Sequence, residues 1–244
     1  MGEGLELLGN LPGMARPVLL VHGWGGSYAT TWKAPGWDML LGDIGRTEIV
    51  GVDLLGHGTA PKPHDPADYA DLGARIFDAL PPDEPVDAIG FSLGAMTLLH
   101  AATKRPDRFR RIVIAGIGDR LLGPADPAAA SNVDAIGAAM KGEGDPENTW
   151  AQAMARHGAL PGNDRDALLA CLRRPMPADP VTRDSCQRVT AKVLVCIGDR
   201  DFAGPSDALA AAIPGATLKV LRSTDHFATP EAFAFIDAVL KFLE

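Results

Sequence analysis

Three cysteines, Cys171, Cys186 and Cys196, are all that the 244 residues contain. The number is odd and no two are spaced Cys-x-x-Cys, which argues against a disulfide framework and against a zinc site. Buried free thiols fit better and point to a reducing cytoplasm. No apolar run approaches the roughly 20 residues that cross a bilayer. The opening stretch, MGEGLELLGNLPG, lacks a cationic start and a long apolar core, so it is not expected to be a signal peptide. Basic runs and basic–aromatic stripes are also missing. A net charge of −8 disfavours nucleic acid or an anionic membrane as partner.

What is present is apolar and regularly spaced. Hydrophobic residues make up 46% and charged residues 22%, the balance of a soluble globular chain, and the length suits one sizeable domain, 1–244. The runs RPVLLVHG (16–23), TEIVGVD (47–53), VDAIGF (86–91), RIVIAGIG (111–118) and AKVLVCIGD (191–199) are mainly apolar and do not alternate. Such runs predict strands of a parallel sheet covered on both faces. ATLKVLRS (216–223) alternates more, as suits a strand near an edge. Helical spacing links Trp37, Leu40, Leu41 and Ile44; Tyr69, Leu72, Ile76, Phe77 and Leu80; and Ile236, Val239, Leu240 and Leu243. Segment 95–102 is apolar nearly all round and predicts a buried central helix. The alternation implies an α/β fold: a doubly wound, mostly parallel central sheet with helices on both faces. Residues 119–190 interrupt it, with helical pieces near 147–157 and 164–173. They are expected to form an inserted helical cap, after which the core resumes over 191–244.

AIGFSLGAM (88–96) places Ser92 between Gly90 and Gly94. A serine hydroxyl is a poor nucleophile unless it is exposed and has a base beside it. A sharp strand-to-helix turn exposes it, and glycines on either side allow helix and neighbouring strand to approach closely. The helix N-terminus aims unpaired N–H groups at developing negative charge. Among six histidines, His100 is expected in the core, His64 and His157 on the surface, His57 in a glycine turn and His22 at a strand end. His226, between the last strand and the last helix, falls on the same sheet edge as Ser92 and is the favoured base. The carboxylate that orients it can come from Asp199 or Asp201, after the strand at 191–198, or from Asp119. Asp225 adjoins His226 in sequence, which seldom gives the required geometry.

LLVHGWGGS, VDLLGHG, IGFSLGAM, VLVCIGDRD and DHF, in this order, resemble the α/β-hydrolase superfamily from about residue 16 onward. The resemblance implies a triad of Ser92, Asp201 and His226, because Gly-x-x-Asp after the penultimate strand falls on Gly198-Asp199-Arg200-Asp201. It also implies an oxyanion hole made by the backbone N–H groups of Leu93 and Trp24. Two departures stand out. Members often read Asp-x-x-Gly-x-Gly-x-Ser where this chain has Asp53 to Ala60, so Ala60 replaces the final serine; Asp53 and His57 are expected to hold that turn by hydrogen bonds. The lead-in before RPVLLVHG is short for the two antiparallel strands with which members often begin.

The implied activity is that of a serine hydrolase cleaving carboxylic esters of small or medium substrates, with no metal or organic cofactor required. Thioesters, lactones, carbon–carbon bonds and acyl transfer are alternatives for the same triad, and a non-catalytic ligand-binding protein is the alternative outside enzymes. The serine argues against relatives that use an aspartate nucleophile. Trp24, Trp150 and Met154 are candidate substrate contacts, with Leu160 and Met176 as further apolar candidates from the cap. The physiological substrate and the oligomeric state are not legible.

Overall fold

A computed structural model describes residues 17–244 except Asp83 and Ala125. The expectations for the opening stretch and for a short lead-in strand lie outside the described residues.

Among the described residues six strands form one sheet: β1 (Val18–Val21), β2 (Ile49–Val52), β3 (Val86–Phe91), β4 (Phe109–Ala115), β5 (Lys192–Gly198) and β6 (Thr217–Leu221). Their order is β2-β1-β3-β4-β5-β6. Every pairing is parallel, so the sheet is more uniform than the mostly parallel one expected. β6 lies at an edge and is largely exposed, as its alternation implied.

Nine α-helices accompany the sheet among the described residues: α1 (Trp37–Asp43), α2 (Ala74–Ala79), α3 (Leu93–Lys104), α4 (Ala129–Lys141), α5 (Thr149–Gly158), α6 (Arg165–Leu172), α7 (Arg183–Cys186), α8 (Asp207–Ala212) and α9 (Phe233–Leu243). The continuous apolar runs are explained by two cores. Leu19, Val21, Ala88, Ile112, Ile114, Val193 and Val195 pack on one face with residues of α2, α3 and α8. The alternate residues Val18, Leu20, Ile89, Val113, Leu194 and Cys196 pack on the other with Trp37, Leu41, Phe235, Val239 and Leu243. Successive side chains of a strand point to opposite faces, so a strand buried on both is apolar at nearly every position; the exception in β3 is Asp87, buried and paired with Arg46 and Arg110. The three cysteines are buried and free, and burial pushes the Cys196 thiol up to about 12 and that of Cys171 up to about 11.

The periodicity over Tyr69–Leu80 does not give one helix. A short tight turn at Pro66–Tyr69 and α2 are separated at Asp71–Gly73, where the Asp71 carboxylate accepts from the Ala74 N–H at 3.2 Å and restarts the helix. Helices α4 to α7 all lie between β4 and β5. Their buried residues Val133, Ile136, Ala151, Leu168 and Cys186 join the same core as α3 rather than forming one of their own.

Candidate active site

The site forms where the sheet reverses direction of growth. β2 is added on one side of β1 and β3 on the other, which leaves a crevice beyond the carboxyl ends of these strands. Ser92 occupies the single position between β3 and α3, with φ 51° and ψ −114°. A residue with a side chain meets steric resistance there. Its N–H is fixed by the Ala115 carbonyl at 2.8 Å, so β4 pins the turn. The flanking glycines are required by contact. A Cβ on Gly94 would lie 2.4 Å from the carbonyl oxygens of Val21 and His22, and one on Gly90 would lie 2.8 Å from the Ala95 Cα. Both distances are shorter than atoms tolerate, so α3 can rest on β1 and β3 only with hydrogen at these positions.

His226 follows β6 and reaches back across the sheet. Its Nε2 is 3.0 Å from Ser92 Oγ, and its Nδ1 is 2.9 and 3.0 Å from the two carboxylate oxygens of Asp201. Because Nδ1 faces a carboxylate, it carries the proton, which leaves the Nε2 lone pair toward the hydroxyl. Asp201 is buried and also accepts from the Ala203 N–H at 2.8 Å. The other carboxylates are engaged elsewhere: Asp199 accepts from the Thr224 N–H, Asp119 from Leu209 N–H and Asp225 from Ala228 N–H. The imidazole lies between two rings, Phe202 with centroids 4.3 Å apart and Phe91 at 5.0 Å. Neither phenylalanine was singled out in the sequence, although Phe202 directly follows Asp201.

Leu93 opens α3 and carries one of the N–H groups that a helix leaves without an internal acceptor. The loop after β1 lies against the serine, since a Cβ on Gly23 would sit 3.3 Å from Ser92 Cβ. Trp24 follows at once. Its side chain is buried, with the indole N–H donated to the Leu168 carbonyl at 2.9 Å.

A cavity of about 670 Å³ opens beside Ser92. Its apolar wall includes Met96, Ile117, Leu121, Trp150, Met176 and Phe202, and Arg120 adds a charge. Of the candidate contacts, Trp150 and Met176 lie on this wall. Trp24 and Met154 do not: the indole is turned into the contact with α6, and Met154 packs on the core. Leu160 is 40% exposed and also does not line it.

His157 corrects the sequence reading. It is not a solvated surface residue, because its ring lies 5.0 Å from that of Phe227 and close over Gly25. Burial holds its pKa below the ordinary histidine value; the nearby His226 adds to this, and the Trp24 backbone opposes it. A face of small residues, Ala151, Ala155 and Gly158, lets α5 come this close, and that spacing was the available signal. In the turn after β2, Asp53 accepts from the N–H and hydroxyl of Thr59, and His57 Nδ1 pairs with the Leu55 carbonyl, so that turn is held as expected.

The sequence model of the alpha/beta hydrolase family matches residues 18–237. The chain belongs to the alpha/beta hydrolase family. Within it, the chain is 32% identical over 131 residues to a pimeloyl-[acyl-carrier protein] methyl ester esterase of Neisseria meningitidis, a match covering 52% of this chain and 46% of the relative. It is 30% identical over 110 residues to a 2-hydroxymuconate semialdehyde hydrolase of a Pseudomonas strain, covering 43% of this chain and 37% of the relative. The matched stretches therefore span less than half of these relatives. Among solved structures, a thermophilic esterase from Thermogutta terrifontis shares the fold with a TM-score of 0.70 at 21% identity, over 95% of this chain and 90% of that one. A marine microorganism esterase gives 0.66 at 17% identity, over 94% and 96%. Among the described residues there is no group of three or more His, Cys, Asp or Glu suited to a metal ion, and no helix is long and apolar enough to cross a membrane.

Proposed function

We propose that this alpha/beta hydrolase is a serine hydrolase acting on carboxylic esters of small or medium size. The observation that carries the reading is the unbroken chain of contacts from Ser92 Oγ to His226 Nε2 and from His226 Nδ1 to Asp201. In this scheme His226 accepts the hydroxyl proton as Ser92 attacks the ester carbonyl. The imidazolium is stabilised by Asp201. The tetrahedral intermediate carries its O⁻ toward the N–H groups of Leu93 and Trp24, a type of donor whose loss costs about 2.7–4 kcal/mol of barrier. Collapse breaks the C–O bond, and His226 returns the proton to the leaving alcohol. Water, deprotonated by the same histidine, then attacks the acyl-enzyme, releases the acid and restores Ser92.

Residues 119–190 act as the cap in this reading. Support comes from Trp150 and Met176, which lie on the wall of the cavity beside Ser92. The apolar wall favours an acyl or aromatic group. Three buried free thiols favour a reducing compartment, the cytoplasm. A second reading, hydrolysis of a semialdehyde or dienoate, draws on the names of two relatives, the 2-hydroxymuconate semialdehyde hydrolase and a 2-hydroxy-6-oxo-2,4-heptadienoate hydrolase of Pseudomonas putida.

The test is a panel of p-nitrophenyl esters, thioesters, lactones and dienoates on purified protein. Esters of short to medium chain are expected to turn over fastest. Turnover confined to dienoates would favour the second reading, and binding without product from any of them would overturn both.

A further inference from the structure

The insertion between β4 and β5 does more than wall the cavity: it holds the loop that follows β1. Three contacts converge on two consecutive residues. The Asn163 side-chain amide donates to the Gly25 carbonyl at 2.7 Å. Since that acceptor is a carbonyl, the Asn163 nitrogen must face it, which fixes the amide orientation. The Trp24 indole N–H donates to the Leu168 carbonyl at 2.9 Å. The His157 ring covers Gly25, where an added Cβ would stand 2.8 Å from its Cδ2. Gly158 completes the fit, because a Cβ there would lie 2.8 Å from the Trp24 ring.

These contacts bear on two peptide groups that one hydrogen bond joins, Gly25–Gly26 and Gly23–Trp24. Gly25 has φ +74° and is the third residue of a turn from Gly23 to Gly26, closed by the Gly26 N–H to Gly23 carbonyl bond at 3.1 Å. A turn of this kind, rich in glycine, has little intrinsic preference for one orientation. The Gly25 carbonyl held by Asn163 shares a peptide plane with the Gly26 N–H, and the Gly23 carbonyl which that N–H meets shares a plane with the Trp24 N–H, so holding the first peptide restrains the second. An oxyanion donor must already point at the developing charge, because reorientation during the reaction would consume the stabilisation it gives.

We infer that Asn163, on the insertion, is a positioning residue for the oxyanion hole, acting on the Trp24 N–H through the Gly25 carbonyl. The insertion thereby influences the chemical step as well as substrate choice. The inference rests on the reading of Ser92 and Trp24 given above, and it names a role for a residue that touches no reacting atom.

The experiment compares wild type, Asn163→Ala and the isosteric Asn163→Asp, which keeps the shape but loses the donor. Steady-state kinetics on p-nitrophenyl butyrate are paired with the affinity for a trifluoromethyl ketone, which adds to the serine and presents a tetrahedral oxyanion. Removing an oxyanion donor outright costs about 10²–10³ in kcat, so loosening one is expected to cost roughly 10–100-fold. Both variants should show that fall in kcat, KM within about twofold of wild type, and a loss of ketone affinity by the same factor as kcat. Wild-type kcat in either folded variant overturns the inference, as does a change confined to KM or a fall in kcat without a matching loss of ketone affinity. Should Asn163→Ala fail to fold, Asn163→Asp alone decides. A wild type that neither turns over the ester nor binds the ketone would instead overturn the underlying reading of the site.

Discussion

Ser92, the proposed nucleophile, sits on an unfavourable backbone, and the two features can be separated by substitution. Its φ of 51° and ψ of −114° lie where L-residues are rarely found. Holding a side chain there costs about 1–3 kcal/mol, and glycine avoids most of that cost. Glycine also loses about 0.4–1 kcal/mol through the greater freedom of the unfolded chain. Ser92→Ala and Ser92→Gly both delete the hydroxyl and its contact with His226, so their difference isolates the backbone. Subtracting the entropic loss from the relief of strain leaves Ser92→Gly more stable than Ser92→Ala by about 1 kcal/mol. For a domain of this size that difference corresponds to roughly 2–4 °C in Tm. Both variants should be inactive. Urea unfolding followed by tryptophan fluorescence, with thermal melts alongside, measures the gap. Equal stabilities, or an alanine variant more stable than the glycine one, would refute the claim that the turn stores strain.

Three further outcomes are expected. Gly94→Ala should destabilise by about 2 kcal/mol or more despite alanine's better helix propensity, because its methyl meets main-chain carbonyls that cannot rotate away; equilibrium unfolding checks this. Asp201→Asn should lower kcat by about 10⁴ through the wrong histidine tautomer, whereas Asp199→Asn should stay near wild type; the reverse order would reassign the acid. Burial, and after it the neighbouring His22, holds His57 at about 3. The unfolded chain takes up this proton near pH 6.5 and the folded chain does not, so stability is lost as pH falls below 6.5. At pH 5 the loss from this residue is about 2 kcal/mol. Wild type should therefore weaken more steeply between pH 7 and pH 5 than His57→Phe in denaturant titrations, and parallel slopes would contradict the assignment.

The sheet was legible because burial on both faces leaves a simple mark, an apolar residue at every strand position from Val18 to Val21 and at all but Asp87 from Val86 to Phe91. Ser92 was legible because a tight turn between close-packed elements leaves no chemical choice but glycine at positions 90 and 94. The contact between Ser92, Asp201 and His226 was legible only as shared membership of one sheet edge, and the choice between Asp199 and Asp201 came from resemblance rather than from spacing. The segment between β4 and β5 and what packs on it were hardest to read. Trp24 was a candidate substrate contact, yet its indole is satisfied by a carbonyl of α6. His157 looked solvated because its sequence neighbours are polar, but its surroundings come from Gly25 and Phe227, remote in sequence. Side chains whose partners lie on another element carry no local signature.

The most direct test is covalent. A fluorophosphonate offered to the native protein, followed by digestion and mass mapping, should phosphonylate a single residue at position 92. The rate should collapse in His226→Ala, and labelling should vanish in Ser92→Ala. Adduct on a different side chain, or undiminished reaction once the imidazole is removed, would contradict the assignment of an activated serine at this turn.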